Sequence, residues 1–353
     1  MISIIKAKVK EVVYRDSSVA KIRIQAEGGL FDCINYNQLT GEIEINDDVL
    51  LNTTSEELEL GSGGYHFVLA NLSREKLKNI GEGHIMKLRY TPMQINCLAA
   101  EAQESPYHEV FNSFESLEDT PVIVGTLHSM VAPIAIALKG FAKKERIVYI
   151  MTDGGALPIW MSETVKSLSK NSVLKGTVTY GNAFGGDIEC INVYSALIAA
   201  KEILKADAVI VCMGPGIAGT DTRYGFSGIE QSQIIDAVNN LKGKAIAVPR
   251  VSFADSRSRH YGLSHHTIMT LGRLCCTRAF IALPELSETK AGLIKDQLAD
   301  SGILSRHEIS YWPWEEVEKL LEKDESLLNK MGKGFSEDKE YFITCGLSAM
   351  LVL

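Results

Sequence analysis

The sequence predicts an α/β protein with an N-terminal all-β domain, whose larger part is a mostly parallel, Rossmann-like sheet with helices on both faces. Three observations carry that expectation. Up to about residue 90, short runs alternate apolar and polar side chains between glycine- and asparagine-rich turns, the period-2 pattern of half-buried strands. From Pro121 onward, runs that are apolar throughout alternate with helical stretches, as a parallel sheet covered on both faces requires. At 353 residues the chain also exceeds what one core usually supports. The expected division is a small antiparallel barrel or sandwich over 1–90, a helical connector over 91–119 and the α/β domain over 120–353.

In the first part, IIKAKVKEVV sets Lys6, Lys8 and Lys10 against Ile5, Ala7 and Val9, and VAKIRIQA repeats the pattern with Lys21 and Arg23 outward. FDCINY, EIEI, VLLNTT, YHFVLANL and HIMKLRY read as further strands, with turns at 27–29, 46–48 and 61–64. Thr91-Pro92-Met93-Gln94 has the form of a capping box with proline at the first helical position, and Ser105-Pro106 resembles a second start, so residues 92–118 are expected to be helical. Beyond Pro121 the predicted strands are PVIVG, RIVYIM, GTVTYG, AVIVCM, AIAVP, AFIALP and EISYW. Helices are expected at Val131–Lys143, Met161–Leu168, Ile188–Leu204, Gly228–Leu241, His265–Cys276 and Lys290–Ser301, and the charged tail 315–340 reads as a solvated helix.

Composition narrows the function classes. The chain is 46% hydrophobic and 23% charged with a net charge of −8, which argues against a nucleic-acid or anionic-membrane surface. MISIIKAKVK lacks the apolar core of a signal peptide, and Met130–Leu138 falls well short of the roughly 20 residues that span a bilayer. Seven cysteines without a C-x-x-C pair suit reduced thiols, so a cytoplasmic location is expected.

Within AVIVCMGPGIAGTDTR, Gly214, Gly216 and Gly219 have the G-x-G-x-x-G spacing. A dinucleotide turn needs a helix to start at once and an acidic residue after the next strand. Here the next capping box is Ser227-Gly228-Ile229-Glu230, and AIAVPRV carries Arg250 instead. The reading that remains is a backbone nest for an anion, with Thr220, Thr222 and Arg223 as side-chain donors; the alternative is glycine used only for tight turning.

Ligands of open parallel sheets bind beyond the carboxyl ends of the strands. Polar loops follow five consecutive predicted strands here, and the loop Pro249–Ser264 is much longer than the usual roughly 2–6 residues. Residues 249–280 hold five arginines against one acid, Asp255, and Arg257 and Arg259 are spaced to offer guanidinium forks to a phosphate or carboxylate. Ser129, Asn182, Asp187 and Asp255 join them as expected ligand-binding residues, although Asp187 would serve equally as the cap of a helix from Ile188.

Asp153, beside two glycines at a strand end, and His265, in a first helical turn after Ser264, are the expected acid/base groups, with His128 in reserve. No metal site is expected: zinc-ligand spacings are absent, and adjacent residues His265 and His266 diverge by about 100° on a helix, so a site made from His128, Asp153 and His265 is kept only as the alternative. The sequence lacks a G-x-S-x-G elbow, and Cys212 reads as a core thiol.

The runs NTTSEELELGSGGYHFVLANL, GHIMKLRYTPMQ, MTDGGALPIWMSE, MGPGIAGTDTRYGFSG and RHYGLSHHT together resemble a bacterial family of about this length, a domain of unknown function. The resemblance spans nearly the whole chain. It implies a bacterial cytoplasmic protein and supplies no activity, cofactor or catalytic residue. The function expected from the residues is therefore an enzyme acting on a small anionic metabolite at the rim of the sheet, its cofactor unknown. The alternative is a non-enzymatic sensing or scaffolding protein that meets a partner through its β domain. Neither nucleic acid nor membrane is an expected partner, and a homo-oligomer stays open.

Overall fold

The alternating runs at the N-terminus close into a five-stranded barrel in the computed structural model, which describes residues 2–60 and 63–353. Its strands are β1 (Ile4–Arg15), β2 (Val19–Ala26), β3 (Gly29–Tyr36), β4 (Asp48–Asn52) and β5 (His66–Asn71), closed in the order β1-β2-β3-β5-β4. The single parallel contact, β3 with β5, and the short helix Asn37–Thr40 between β3 and β4 give the order of an OB barrel. Register shifts between Val9 and Glu11 and between Val12 and Tyr14 bend β1 so that it pairs with β2 on one edge and β4 on the other. Val9, Ile22, Ile24, Val49 and Leu51 fill the interior, while Lys6 and Lys8 stand outside and pair with Asp48.

Two expectations for this part need correction. Residues 42–45 form no strand: Ile43 is fully buried in the barrel core, but the chain around it runs as a loop after Gly41, so its alternation reflects one anchoring residue rather than a ladder. Of the run HIMKLRY only β6 (Ile85–Lys87) is extended, paired with β7 (Ile95–Cys97). The turn expected at 61–64 falls partly outside the described residues.

The helical connector is not formed. Thr91 makes a local turn, its hydroxyl donating to the Leu88 carbonyl and accepting from the Met93 N–H, and from Ile95 the chain straightens into β7. The capping box lacks an apolar helical stripe behind it, and pairing with β6 prevails. Between residues 98 and 120 the only α-helix is His108–Asn112. The chain separates into compact units at Met1–Cys97 and Leu98–Leu353.

The second unit is built on an eight-stranded sheet: β8 (Pro121–Val124), β9 (Ile147–Thr152), β10 (Gly176–Tyr180), β11 (Ile188–Cys190), β12 (Ala208–Met213), β13 (Lys244–Ala247), β16 (Phe280–Pro284) and β17 (Glu308–Trp312). A two-residue hairpin, β14 (Val251–Ser252) with β15 (Gly262–Leu263), lies between β13 and β16. The strand order is β11-β10-β9-β12-β8-β13-β16-β17, and every neighbouring pair is parallel.

Alternate side chains of each central strand enter different cores. Ile123, Tyr149, Ile210 and Ile246 pack beneath helices Val131–Gly140 and Lys339–Leu347. Val122, Val148, Val209 and Ala245 pack beneath helices Val193–Ile198, Glu230–Asn240 and Glu288–Ser301. Burial on both faces is why these strands are apolar at every position. No helix among the described residues is long and apolar enough to cross a membrane.

One expected helix begins as a strand. Ile188–Cys190 pairs with Val178–Tyr180 as β11, and the helix behind it starts at Val193, capped by Asn192 in a reciprocal box with Ser195. Asp187 is thus neither a helix cap nor a rim residue. The chain has returned to the amino edge of the sheet there, where Asp187 accepts from the Thr177 N–H and hydroxyl at the start of β10.

Candidate functional site

The chain leaving β13 and the chain leaving β12 build one hollow at the carboxyl edge of the sheet. After β13, Arg250 turns into β14 and the chain returns through β15 to Ser264. The Ser264 N–H donates to the Arg250 carbonyl at 2.9 Å, and the Arg250 N–H donates to Thr267 Oγ1 at 2.8 Å. The long loop is therefore a pinned hairpin. Ser264 then caps helix His265–Met269, accepting from the His266 N–H.

After β12, residues 218–227 fold into a second hairpin. Ser227 and Ala218 exchange hydrogen bonds, Gly219 bridges Phe226, and the Thr220 N–H donates to the Gly225 carbonyl at 2.8 Å. Of the expected anion nest, the N–H groups of Ala218 and Thr220 are taken up inside the hairpin. Gly214 serves close packing instead: a Cβ there would lie 2.5 Å from the Ala156 carbonyl oxygen, where the loops after β9 and β12 are laced by the Ala156 N–H bond to Pro215. Gly216 has φ +96°, which glycine alone adopts without strain. The capping box at Ser227 is also not closed: Glu230 points to Thr152.

Between the hairpins lies a cavity of about 160 Å³. Of the expected site residues, Gly219, Thr220, Arg257, Arg259 and His265 line it, joined by Asp221, Arg250, His260 and His266. Asp255 stands behind as a positioning residue. It accepts from Arg257 Nε and Nη2, both at 2.9 Å, and from Arg250 Nη2 at 2.8 Å, and these cations hold its carboxyl far below the usual range. Arg259 pairs with Asp221 at 2.8 Å. The expectation of free guanidinium forks is corrected accordingly: each arginine shares a carboxylate. Arg250 is 2% exposed, and its Nε has no protein partner.

Three imidazoles face each other here. Ring centroids lie 5.1 Å apart for His260 and His265, 4.9 Å for His260 and His266, and 4.3 Å for His265 and His266. Phe226, brought in by the second hairpin, stacks on His266 at 4.0 Å. Burial, reinforced by the nearby cations, pulls His260 and His266 down to about 3 and also lowers His265, so all three are neutral near pH 7.

The remaining expected residues lie elsewhere. His128 is held by protein: a carbonyl can only accept, so Nδ1–H donates to the Met213 oxygen at 3.3 Å, and Nε2 accepts from the Ser162 hydroxyl at 2.6 Å. Burial lowers it to about 4. Ser129 bonds the Tyr341 hydroxyl at 2.7 Å. Arg223 is exposed and does not line the cavity. Cys212 is fully buried, its thiol pushed up to about 12.

Asp153 belongs to a second polar cluster, accepting from the Asn182 N–H at 3.1 Å. Beside it is a group the sequence reading missed: Glu230, whose Oε1 accepts from Thr152 Oγ1 at 2.5 Å and whose carboxyl burial pushes up to about 7. Its only sequence signal was its place in the capping box. Gly154 leaves room for that carboxyl, since a Cβ there would lie 3.1 Å from both of its oxygens.

One family model, described as that of a protein of unknown function, matches residues 32–349. No curated protein matches the chain.

Proposed function

The chain belongs to this family of unknown function (DUF3866), and from the cavity itself we propose an enzyme that acts on a small anionic metabolite, phosphorylated or carboxylated. One observation carries the reading: three guanidinium groups and three neutral imidazoles converge on a hollow where, among the described residues, Asp221 in the lining and Asp255 behind it are the carboxylates paired with those arginines. Each guanidinium has five N–H donors, and the two acids use only some of them, so donors and one surplus positive charge remain for a ligand. The volume lies below the roughly 300–1,000 Å³ of pockets for drug-sized ligands, which suits an anionic head group rather than a whole dinucleotide.

Calorimetric titration with inorganic phosphate and with small di- and tricarboxylates tests this. At least one should bind the wild-type chain, with affinity falling about tenfold or more in Arg259→Gln, the loss of one charged hydrogen bond at roughly 1.5–3 kcal/mol. Equal binding by that variant, or no binding to wild type, would overturn the reading. The dispersal of Asp153 and His128 away from His265 favours a second reading, in which the same anion is sensed and released unchanged; turnover of any bound compound rules it out.

A further inference from the structure

We propose that His260, His265 and His266 form a site for one divalent transition-metal ion of the zinc class, with its remaining coordination position open toward the arginine-lined cavity. Each histidine offers one ring nitrogen, and the three nitrogens lie within 4.8 Å of one another. A tetrahedral site with Zn–N bonds of about 2.0–2.1 Å separates its ligands by roughly 3.3 Å, so the rings close on an ion by modest side-chain rotation. Adjacency of His265 and His266 in sequence is no obstacle. At the first helical turn both rings point into the same hollow, with centroids 4.3 Å apart.

The second observation is independent of clustering. His266 is 7% exposed, and the Nδ1 atoms of both His265 and His266 are buried without a protein partner. Native interiors rarely leave such a nitrogen unbonded without a reason. Ser264 supplies the outer support that metal-binding imidazoles commonly have: its hydroxyl bonds His260 Nδ1 at 2.7 Å, orienting the ring and leaving Nε2 as the available ligand.

The ligand set also selects the kind of site. Imidazole nitrogen suits zinc, cobalt, nickel or copper and not magnesium or calcium. A closed structural zinc site would need a fourth side chain, yet the nearest acids are engaged: Asp255 by Arg250 and Arg257, Asp221 by Arg259. Three nitrogens and a position left for water or substrate are the arrangement of catalytic rather than structural zinc sites. The adjacent arginines disfavour a bare dication, which Asp221 and Asp255 offset in part. An anionic ligand in the open position would complete the neutralisation.

The test uses the full chain stripped with a chelator and titrated with Co²⁺ and Zn²⁺ in buffer free of phosphate and carboxylates, so that it does not depend on the anion reading. The expected result is uptake of one equivalent, visible cobalt d–d bands of tetrahedral type and a rise in melting temperature with zinc. His265→Gln, at the half-buried member of the trio, should weaken uptake about tenfold or more while its circular dichroism stays native, and His266→Gln should do the same. His108→Gln, outside the trio, should leave uptake unchanged. Absence of stoichiometric uptake at micromolar metal, or equal uptake by the His265→Gln chain, would overturn the inference. Phosphate binding that still depends on Arg259 would then leave the proposed function standing.

Discussion

Glu230 begins helix Glu230–Asn240 with its carboxyl accepting from Thr152 and facing Asp153. The helix N-terminus favours the ionised form by about 0.3–1 kcal/mol. Burial opposes it, raising the group from 4.5 to about 7, a shift worth roughly 3 kcal/mol. A raised carboxyl stabilises the fold fully below its unfolded value near 4.5, and that contribution is lost as pH rises through about 7. Glu230→Gln should therefore remove a downward slope in unfolding free energy over this window and gain up to about 3 kcal/mol over wild type at pH 8. Urea titrations at pH 5 and pH 8 check it; parallel behaviour of the two chains would show that the carboxyl is not displaced. The residue was visible in the sequence only as a helix-start signal. Its proton affinity comes from burial by distant parts of the chain, which the Thr152 hydroxyl partly opposes and the Asp153 charge reinforces, and no local pattern encodes that.

At the scale of elements, the C-terminal segment shows how charge patterning misleads. Residues 315–340 read as a solvated helix, yet Leu321 and Leu328 are buried in the core that also holds helix Val131–Gly140. The chain after helix Glu315–Glu322 inserts Lys330 against Asp338, and Asp338 also accepts from the Ser252 hydroxyl of β14 at 2.8 Å. Lys330 is 4% and Asp338 0% exposed, and the ammonium lies 4.2 Å from the centre of the Tyr341 ring. Removing one partner strands the other: Asp338→Ala should cost about 3–5 kcal/mol in chemical unfolding. The apolar pair Lys330→Met with Asp338→Leu should recover most of it, and a single substitution costing under 1 kcal/mol would refute the account. A count of charges along the tail cannot reveal this, because the surfaces that desolvate the pair belong to other elements.

For the whole molecule, every residue of the histidine and arginine cavity lies within Leu98–Leu353, which has its own cores, as the barrel has its own. A chain of residues 98–353 should fold cooperatively and bind zinc or phosphate within about threefold of the full chain, since a unit with its own core can fold alone. Calorimetry on both chains measures this; loss of binding by a folded fragment would mean that the barrel completes the site. By itself the sequence determined the class of architecture, the seven main strands of the sheet and the concentration of arginine after β13, because strand burial and local charge are short-range properties of the chain. It did not show the eighth strand β11, the loss of the helical connector, the return of Asp187 to the opposite edge or the meeting of His260 with His265 and His266. Those follow from β7 pairing with β6, from β11 pairing with β10 and from two hairpins closing on one another. Contacts of that kind are decided by which distant backbones pair and which acids reach the cations first, and only the folded chain brings them within hydrogen-bonding distance.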